Sequence, residues 1–143
     1  MAKNKKWKNK SNKIIPEPNI PDEKIKFSFK YYDVSGKKYC ISCESKKNIA
    51  KALSCLREIS QKTYNEISNN RRTYRFHSVD WNETTEKSGF PDTETKELNA
   101  YQFSLVGVNS SKARIFGVYA ENVFNIVWFD WEHKIYLNPL KNT

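Results

Sequence analysis

The sequence lacks the short motifs that mark several common classes of enzyme. It contains no GxGxxG, no Walker-type phosphate loop, no HExxH and no GxSxG. Each of these motifs supplies a specific piece of chemistry, such as a phosphate cradle, a pair of zinc ligands or an activated serine. Dinucleotide, P-loop, metalloprotease and α/β-hydrolase functions therefore lose their usual support, and we expect neither a cofactor nor a metal site.

Long apolar runs are also missing, and the chain shows no signal-peptide pattern. A membrane-spanning helix needs about 20 consecutive apolar residues, so we expect a cytoplasmic protein without a membrane partner. The three cysteines are an odd number in a chain of 143 residues. This count favours reduced thiols over a disulfide framework.

Cys40 and Cys43 have the spacing of metal ligands, but no second CxxC follows them. If this segment is a strand, their separation places the two thiols on opposite faces. They then cannot share a zinc ion without an intervening turn. The sequence favours small, buried or half-buried thiols over a metal site.

Positive charge is concentrated at the N-terminus. The net charge is +9, yet residues 1–13 hold six lysines and no acid, which leaves only +3 for the rest. Residues 1–22 predict a basic disordered arm. The arm either grips nucleic-acid phosphates or only increases solubility. For the first alternative the candidate contacts are Lys3, Lys5, Lys6, Lys8 and Lys10.

The remaining chain, 23–143, predicts one α+β domain. Residues 24–33 alternate between apolar and polar side chains, which indicates a half-buried strand. This strand either stands alone or, with a turn at Ser35-Gly36 and a second strand over 38–44, forms an N-terminal hairpin.

A pair of helices is predicted next. Ser45 can cap a helix from Lys46 to about Ile59, where apolar residues recur at helical spacing. Residues 63–66 match a capping box, which predicts a second helix to about Ser68.

Two further segments separate the helices from the last part of the chain. Residues 71–77 predict a strand, with Tyr74 and Phe76 inward and Arg75 and His77 outward. Residues 78–99 are polar and acidic and predict a long surface loop with at most one short helical turn.

The C-terminal part predicts three consecutive strands, at roughly 101–108, 113–119 and 123–129. Aromatic and β-branched residues fill these runs, and short polar connections separate them. Neighbouring strands should therefore be antiparallel and form a meander, with the apolar third run inside the sheet. The polar cluster 130–136 follows this run and is the candidate site.

His77 and His133 are the only histidines in the sequence. An enzyme that cleaves RNA needs one group to accept the 2′-hydroxyl proton and another to protonate the leaving oxygen. It also needs fixed positive charge at the phosphate, which arginine supplies. The alternative is that both histidines are ordinary surface or packing residues. The arginines available for this role are Arg71, Arg72, Arg75 and Arg114.

The order of elements resembles that of the RelE/ParE superfamily of small bacterial toxins. The residues that carry the resemblance are 101–105, 113–119, 126–130, His133 and Tyr136. The resemblance implies a helical pair packed on an antiparallel sheet, with a site on the concave face of the strands. It also implies a metal-independent endoribonuclease that acts on mRNA, either free or on the ribosome, with an antitoxin as partner. The arm and the 78–99 segment are additions to the usual family pattern.

The resemblance also implies roles for individual residues. Arg114 would stabilise the scissile phosphate in the transition state. His133 would act as acid or base, and Tyr136 would orient it or stack on RNA. Glu58 or Glu66 would be the helical general base that some members of the family keep. Contacts to the RNA backbone would come from the arm and from Arg71, Arg72, Arg75 and His77.

A non-enzymatic binding protein is the alternative function. It would bind nucleic acid through the arm, or a protein partner through exposed Trp81 and Trp131, which could also stack on bases. One structural feature separates the two hypotheses. The enzyme requires His77, Arg114 and His133 to converge in one place, whereas a binding protein does not.

Overall fold

The computed structural model describes residues 22–120 and 122–138, together with the backbone of 6–8 and 14–16. The described chain forms an α+β structure in which helices pack on a five-stranded mixed sheet. The predicted fold class is therefore confirmed. No helix in these ranges combines the length and the apolar character that crossing a membrane requires.

The sheet is built around the predicted meander. Its strands are β3 (Phe27–Ser28), β4 (His77–Ser78), β5 (Ala100–Ser104), β6 (Arg114–Ala120) and β7 (Val123–Asp130), in the spatial order β3-β7-β6-β5-β4. β5, β6 and β7 pair antiparallel, as predicted. β7 lies between β6 and β3, which explains its nearly continuous apolar run.

A β-bulge interrupts the pairing of β6 with β7. Phe116 lies opposite Trp128 and Gly117 opposite Ile126, so Val127 is the additional residue. A Cβ atom at Gly117 would lie only 2.1 Å from the carbonyl oxygen of Asn125. The glycine therefore allows the two backbones to approach closely at the bulge.

Two helices cover one face of the sheet. They are α1 (Lys46–Ser60) and α2 (Tyr64–Asn69), which match the predicted helical pair. In the capping box of α2, the Glu66 amide donates to the Thr63 hydroxyl at 3.2 Å, and the Thr63 amide donates to the Glu66 carboxylate at 3.0 Å. Buried α1 and α2 residues pack with the inward side chains of β5, β6 and β7 in one core.

The segment 78–99 covers the opposite face and is not the surface loop that the sequence predicts. It contains two 3-10 helices, Trp81–Glu83 and Thr93–Glu97. The rings of Trp81 and Phe90 are buried against Trp128, with centroid distances of 6.2 and 5.0 Å. A few large aromatic residues are enough to bury this otherwise polar segment.

The predicted N-terminal hairpin is wrong. Only Phe27–Ser28 of the first strand forms, and it pairs parallel to β7. Residues 38–44 form no strand, because Tyr39 has a φ of 55° and a 3-10 helix follows at Ile41–Cys43. The strand finds its partner almost one hundred residues later, a pairing that local patterns do not reveal.

The expectation of reduced thiols is also wrong for two of the three cysteines. Cys40 and Cys43 form a disulfide, with Cα atoms 5.5 Å apart. The 3-10 turn places their side chains on the same side, whereas a strand would separate them. Cys55 is a free thiol on α1.

The predicted strand over 71–77 is mostly helical. A short helix, α3 (Arg71–Tyr74), ends at Arg75 in the left-handed conformation, with a φ of 49°. Only His77–Ser78 joins the sheet. Phe76 is buried as predicted, whereas Tyr74, Arg75 and His77 are each half-buried.

Two short strands occur within the predicted disordered arm, β1 (Lys6–Lys8) and β2 (Ile14–Pro16). They pair antiparallel in a separate two-stranded sheet, which differs from the expected absence of structure. The other candidate lysines of the arm, Lys3, Lys5 and Lys10, lie outside the described residues.

Candidate functional site

A row of polar side chains crosses the sheet at one end of the meander. Ser104 on β5 lies opposite Arg114 on β6, and Arg114 lies opposite Asp130 on β7. Directly opposed residues of antiparallel strands point to the same face. All three side chains are buried, so this row forms the polar floor of the site.

The Arg114 guanidinium is almost completely enclosed, with 4% of the residue exposed. Its Nη1 donates to the carbonyl oxygens of Ser111 and Ala113, at 2.6 and 3.2 Å, and to the Ser104 hydroxyl at 3.3 Å. Burial lowers the pKa of Arg114 to about 10; nearby Arg75 lowers it too, and Asp130 raises it. Arg114 therefore remains charged at neutral pH.

The Asp130 carboxylate holds the turn that follows β7. Oδ1 accepts a hydrogen bond from the Lys134 amide and Oδ2 accepts one from the Ile135 amide, both at 2.9 Å. Burial raises the pKa of Asp130, while these two amides and Arg114 act in the opposite direction. Asp130 thereby links the charge of Arg114 to the conformation of the 131–135 turn.

His133 lies within this turn in a strained conformation. Its φ of 56° is left-handed, which is uncommon for a residue other than glycine. Only 7% of the residue is exposed. Burial lowers the pKa of His133 to about 4, and the positive charges of Arg114 and Arg75, together with His77, act in the same direction. The imidazole is therefore neutral at pH 7.

Arg75 and His77 form the more accessible side of the site. His77 lies opposite Gln102 in the pairing of β4 with β5. Gln102 Nε2 in turn donates to the Arg75 carbonyl at 3.3 Å. His77 Nδ1 donates to the Ser78 carbonyl at 2.7 Å. The other ring nitrogen, Nε2, lies at the opposite edge of the ring and is buried.

Tyr136 packs against His77. Its ring lies 5.9 Å from that of His77 and 6.2 Å from that of Phe116. The Tyr136 hydroxyl accepts a hydrogen bond from the Asp80 amide at 3.4 Å, and burial raises its pKa. Tyr136 therefore supports the site through its ring rather than through its hydroxyl.

The structure thus brings together five predicted site residues, although they come from three separate parts of the chain. These residues are Arg75, His77, Arg114, His133 and Tyr136. Several polar atoms in this region are buried without a hydrogen-bond partner among the described residues, namely Gln102 Oε1, Arg114 Nε and His133 Nε2. Such atoms are where a polar ligand or an ordered water would bind.

Other predicted residues lie elsewhere. Arg71 and Arg72 are exposed on α3. Glu66 is occupied by its capping box, and Glu58 lines a cleft of about 290 Å³ between α1 and the end of β5, which touches the polar floor only at Ser104. Neither glutamate belongs to the polar floor, so the resemblance-based role of helical general base is not supported.

Trp81 and Trp131 are not available for stacking on RNA or for binding a partner protein. They are only 7% and 6% exposed. Trp131 stacks on Phe129 with a centroid distance of 5.3 Å, and its Nε1 donates to the Cys40 carbonyl at 2.8 Å. Both indoles are packing residues.

Two residues of the site, Gln102 and Ser104, were not among the predicted site residues, and Asp130 was predicted only as the first residue of the 130–136 cluster. A signal for them exists in the sequence. Gln102 and Ser104 alternate with apolar residues on a predicted strand that is buried on both faces, and Asp130 ends the most apolar strand. Polar residues at such positions need partners, which points to a buried network.

Among the described residues, no group of three or more His, Cys, Asp or Glu side chains is placed to hold a metal ion. Comparison with protein-family models, with curated proteins and with solved structures gives no match for this chain.

Proposed function

We propose that this protein is a RelE-like endoribonuclease that acts on mRNA, free or held by the ribosome, and that an antitoxin protein restrains it. The observation that carries the proposal is the convergence of two imidazoles and two guanidiniums on one face of the sheet. These groups belong to His77, His133, Arg75 and Arg114. Burying positive charge around a histidine is energetically unfavourable, so side chains that served only for packing would not favour this arrangement.

The proposed reaction uses the RNA as its own nucleophile. The 2′-hydroxyl oxygen attacks the adjacent phosphorus, the bond from phosphorus to the 5′-oxygen breaks, and the products are a 2′,3′-cyclic phosphate and a 5′-hydroxyl. His133, neutral at pH 7, accepts the 2′-hydroxyl proton at Nε2. His77, in its doubly protonated form, donates the Nε2 proton to the leaving 5′-oxygen, while its Nδ1–H stays bonded to the Ser78 carbonyl.

Positive charge stabilises the additional negative charge on the phosphorane. Arg75 is only half-buried and can contact the phosphate directly. Arg114 lies deeper and acts through its field, which is poorly screened in a buried setting. Arg71, Arg72 and the basic arm supply contacts to the RNA backbone that do not depend on sequence.

A cleavage assay with purified protein tests the proposal. The substrate is an end-labelled mRNA, with and without ribosomes, and the product is analysed for a 2′,3′-cyclic phosphate. We expect His133→Asn and His77→Asn to lower the rate about 10²–10⁴-fold. Arg75→Ala should lower it about 10²-fold. Circular dichroism shows whether each variant is folded.

Lys134→Ala is the matched control, because Lys134 is an exposed neighbour of His133 and the variant keeps the backbone amide that donates to the Asp130 carboxylate. Its rate should stay within about twofold of wild type, as expected for a surface substitution. Growth arrest on induction gives a parallel test in cells, where wild type should arrest growth and His133→Asn should not. A folded wild-type protein that cleaves no mRNA under either condition would refute the proposal.

A non-catalytic RNA-binding module is the second candidate. The burial of Arg114 and His133 favours it, because a buried pair can also be a structural element of the fold. In the same samples, binding without product would support this candidate. Affinity should then fall with rising salt and fall further in an Arg71→Ala, Arg72→Ala double variant, whereas His133→Asn should leave it unchanged.

A further inference from the structure

The disulfide between Cys40 and Cys43 is unlike one that only stabilises a fold. It closes a very short loop, the 3-10 helix Ile41–Cys43. Cross-links that close short loops remove little conformational entropy from the unfolded chain. One sulfur belongs to a buried residue, Cys40, and the other to an exposed residue, Cys43. An external thiol can therefore reach one defined sulfur atom.

The surroundings favour exchange at this bond. Cys43 lies just before Ser45, the N-cap of the 15-residue helix α1, whose first residues are Lys46 and Lys47. The positive end of a helix and nearby lysines stabilise a thiolate. Cys40 Sγ lies 3.4 Å from the Ser42 hydroxyl, which can donate a hydrogen bond to a Cys40 thiolate.

The same turn is hydrogen-bonded to the segment that precedes His133. The Phe129 amide donates to the Tyr39 carbonyl at 2.8 Å, and Trp131 Nε1 donates to the Cys40 carbonyl at 2.8 Å. These bonds attach the segment 129–131 to the backbone directly before the disulfide.

Asn109 makes a second connection between the two segments. Its Nδ2 donates to the Trp131 carbonyl at 3.0 Å and to the Glu44 carboxylate at 2.8 Å. Trp131 is therefore held on both sides by groups that flank the CxxC turn. A change of conformation in that turn has a direct path to Trp131 and to His133, two residues later.

We propose that Cys40 and Cys43 are a thiol–disulfide exchange site for a dithiol reductant, and that the redox state of these two cysteines determines how well the 131–135 turn is ordered. The proposal does not depend on the proposed ribonuclease activity. A reductant thiolate attacks Cys43 Sγ, the Sγ–Sγ bond breaks, and the electron pair leaves on Cys40 Sγ. The second thiol of the reductant, as thiolate, then attacks the reductant's first sulfur, which is bonded to Cys43 Sγ in the mixed disulfide. This step releases Cys43 as a thiolate. Water supplies protons to both cysteines, and the reductant leaves as a cyclic disulfide.

Hydrogen exchange measured by NMR on the full chain tests this proposal, with dithiothreitol as the dithiol and Cys55→Ser as the background. In the oxidised protein the Lys134 and Ile135 amides are bonded to Asp130 and should exchange slowly. After reduction we expect these amides to exchange about tenfold faster, the effect of losing roughly one hydrogen bond. The Ile67 amide, which donates to the Thr63 carbonyl in α2 far from the disulfide, should not change.

Trp131→Phe separates the exchange chemistry from its effect on the turn. Phenylalanine keeps a ring to stack on Phe129 but has no donor for the Cys40 carbonyl. In this variant dithiothreitol should still reduce the disulfide, and the redox difference at Lys134 and Ile135 should become smaller, because only the bonds through the Phe129 amide and Asn109 remain. The proposal is overturned if dithiothreitol does not reduce the folded protein. It is also overturned if reduction leaves Lys134 and Ile135 unchanged, or changes Ile67 by the same factor.

Discussion

Protonation of His133 in mild acid should lower the free energy of unfolding of the protein. The substitution His133→Asn isolates this effect. Asparagine tolerates the left-handed conformation that position 133 requires, with its φ of 56°. It removes the titratable ring and leaves Asp130 and Arg114 in place. The comparison is therefore between two proteins with the same backbone requirement and a single difference in proton binding.

The expected magnitude follows from the change in the pKa of His133 on folding. This pKa falls from its ordinary value of 6.5 to about 4 because the ring is buried beside positive charge. Between these values the unfolded chain binds more protons than the folded one, so the free energy of unfolding decreases as the pH falls. The stabilisation is complete above the unfolded pKa and is lost toward pH 4. Between pH 7 and pH 5 the loss is about 2 kcal/mol.

Urea denaturation at pH 7, 6 and 5 measures this loss, with fluorescence and circular dichroism as separate probes of two-state unfolding. Wild type should lose about 2 kcal/mol more than His133→Asn across this range. Lys134→Ala changes an exposed neighbour and should follow wild type. Equal pH dependence in wild type and His133→Asn would show that His133 is not held neutral by burial.

Substitutions of Thr63, Gly117 and Asp130 test the local structure through thermal and urea denaturation, with Thr63→Ser and Gly107→Ala as controls. Thr63→Ala removes the hydroxyl that accepts from the Glu66 amide and should cost about 1 kcal/mol, whereas Thr63→Ser should cost little. Gly117→Ala should lower the free energy of unfolding by about 3 kcal/mol or more, because the new Cβ would meet the Asn125 carbonyl. Gly107→Ala, where a Cβ would lie in open space, should lower it by only about 1 kcal/mol, because of the φ of +83° at this position. Asp130→Asn leaves one of two backbone amides without its acceptor and should cost about 3 kcal/mol; a cost near zero would contradict the role of Asp130 in holding the turn.

Local sequence patterns were sufficient for the elements whose stability depends on near neighbours. The capping residues and the apolar stripe of α1 lie within one helix, so its predicted bounds agree with Lys46–Ser60. The capping box of α2 connects residues only three positions apart. The meander also follows from the sequence, because short connections make each strand pair with the next strand along the chain.

Elements that depend on distant partners were predicted incorrectly. Phe27–Ser28 pairs with β7 instead of with the next segment, so no hairpin forms. The 78–99 segment becomes a buried layer because Trp81 and Phe90 meet Trp128 across the sheet. The CxxC turn forms a disulfide because a 3-10 helix replaces the predicted strand.

The chemical types of the candidate site were determined by the sequence alone: two histidines, four candidate arginines and an aspartate after the most apolar strand. Only the tertiary structure decided which of them meet. Cross-strand register places Arg114 beside Asp130, and β4 brings His77 to the same face, whereas Arg71 and Arg72 remain outside on α3. Register and burial arise from packing across the sheet, and this packing also determines that His133 is neutral.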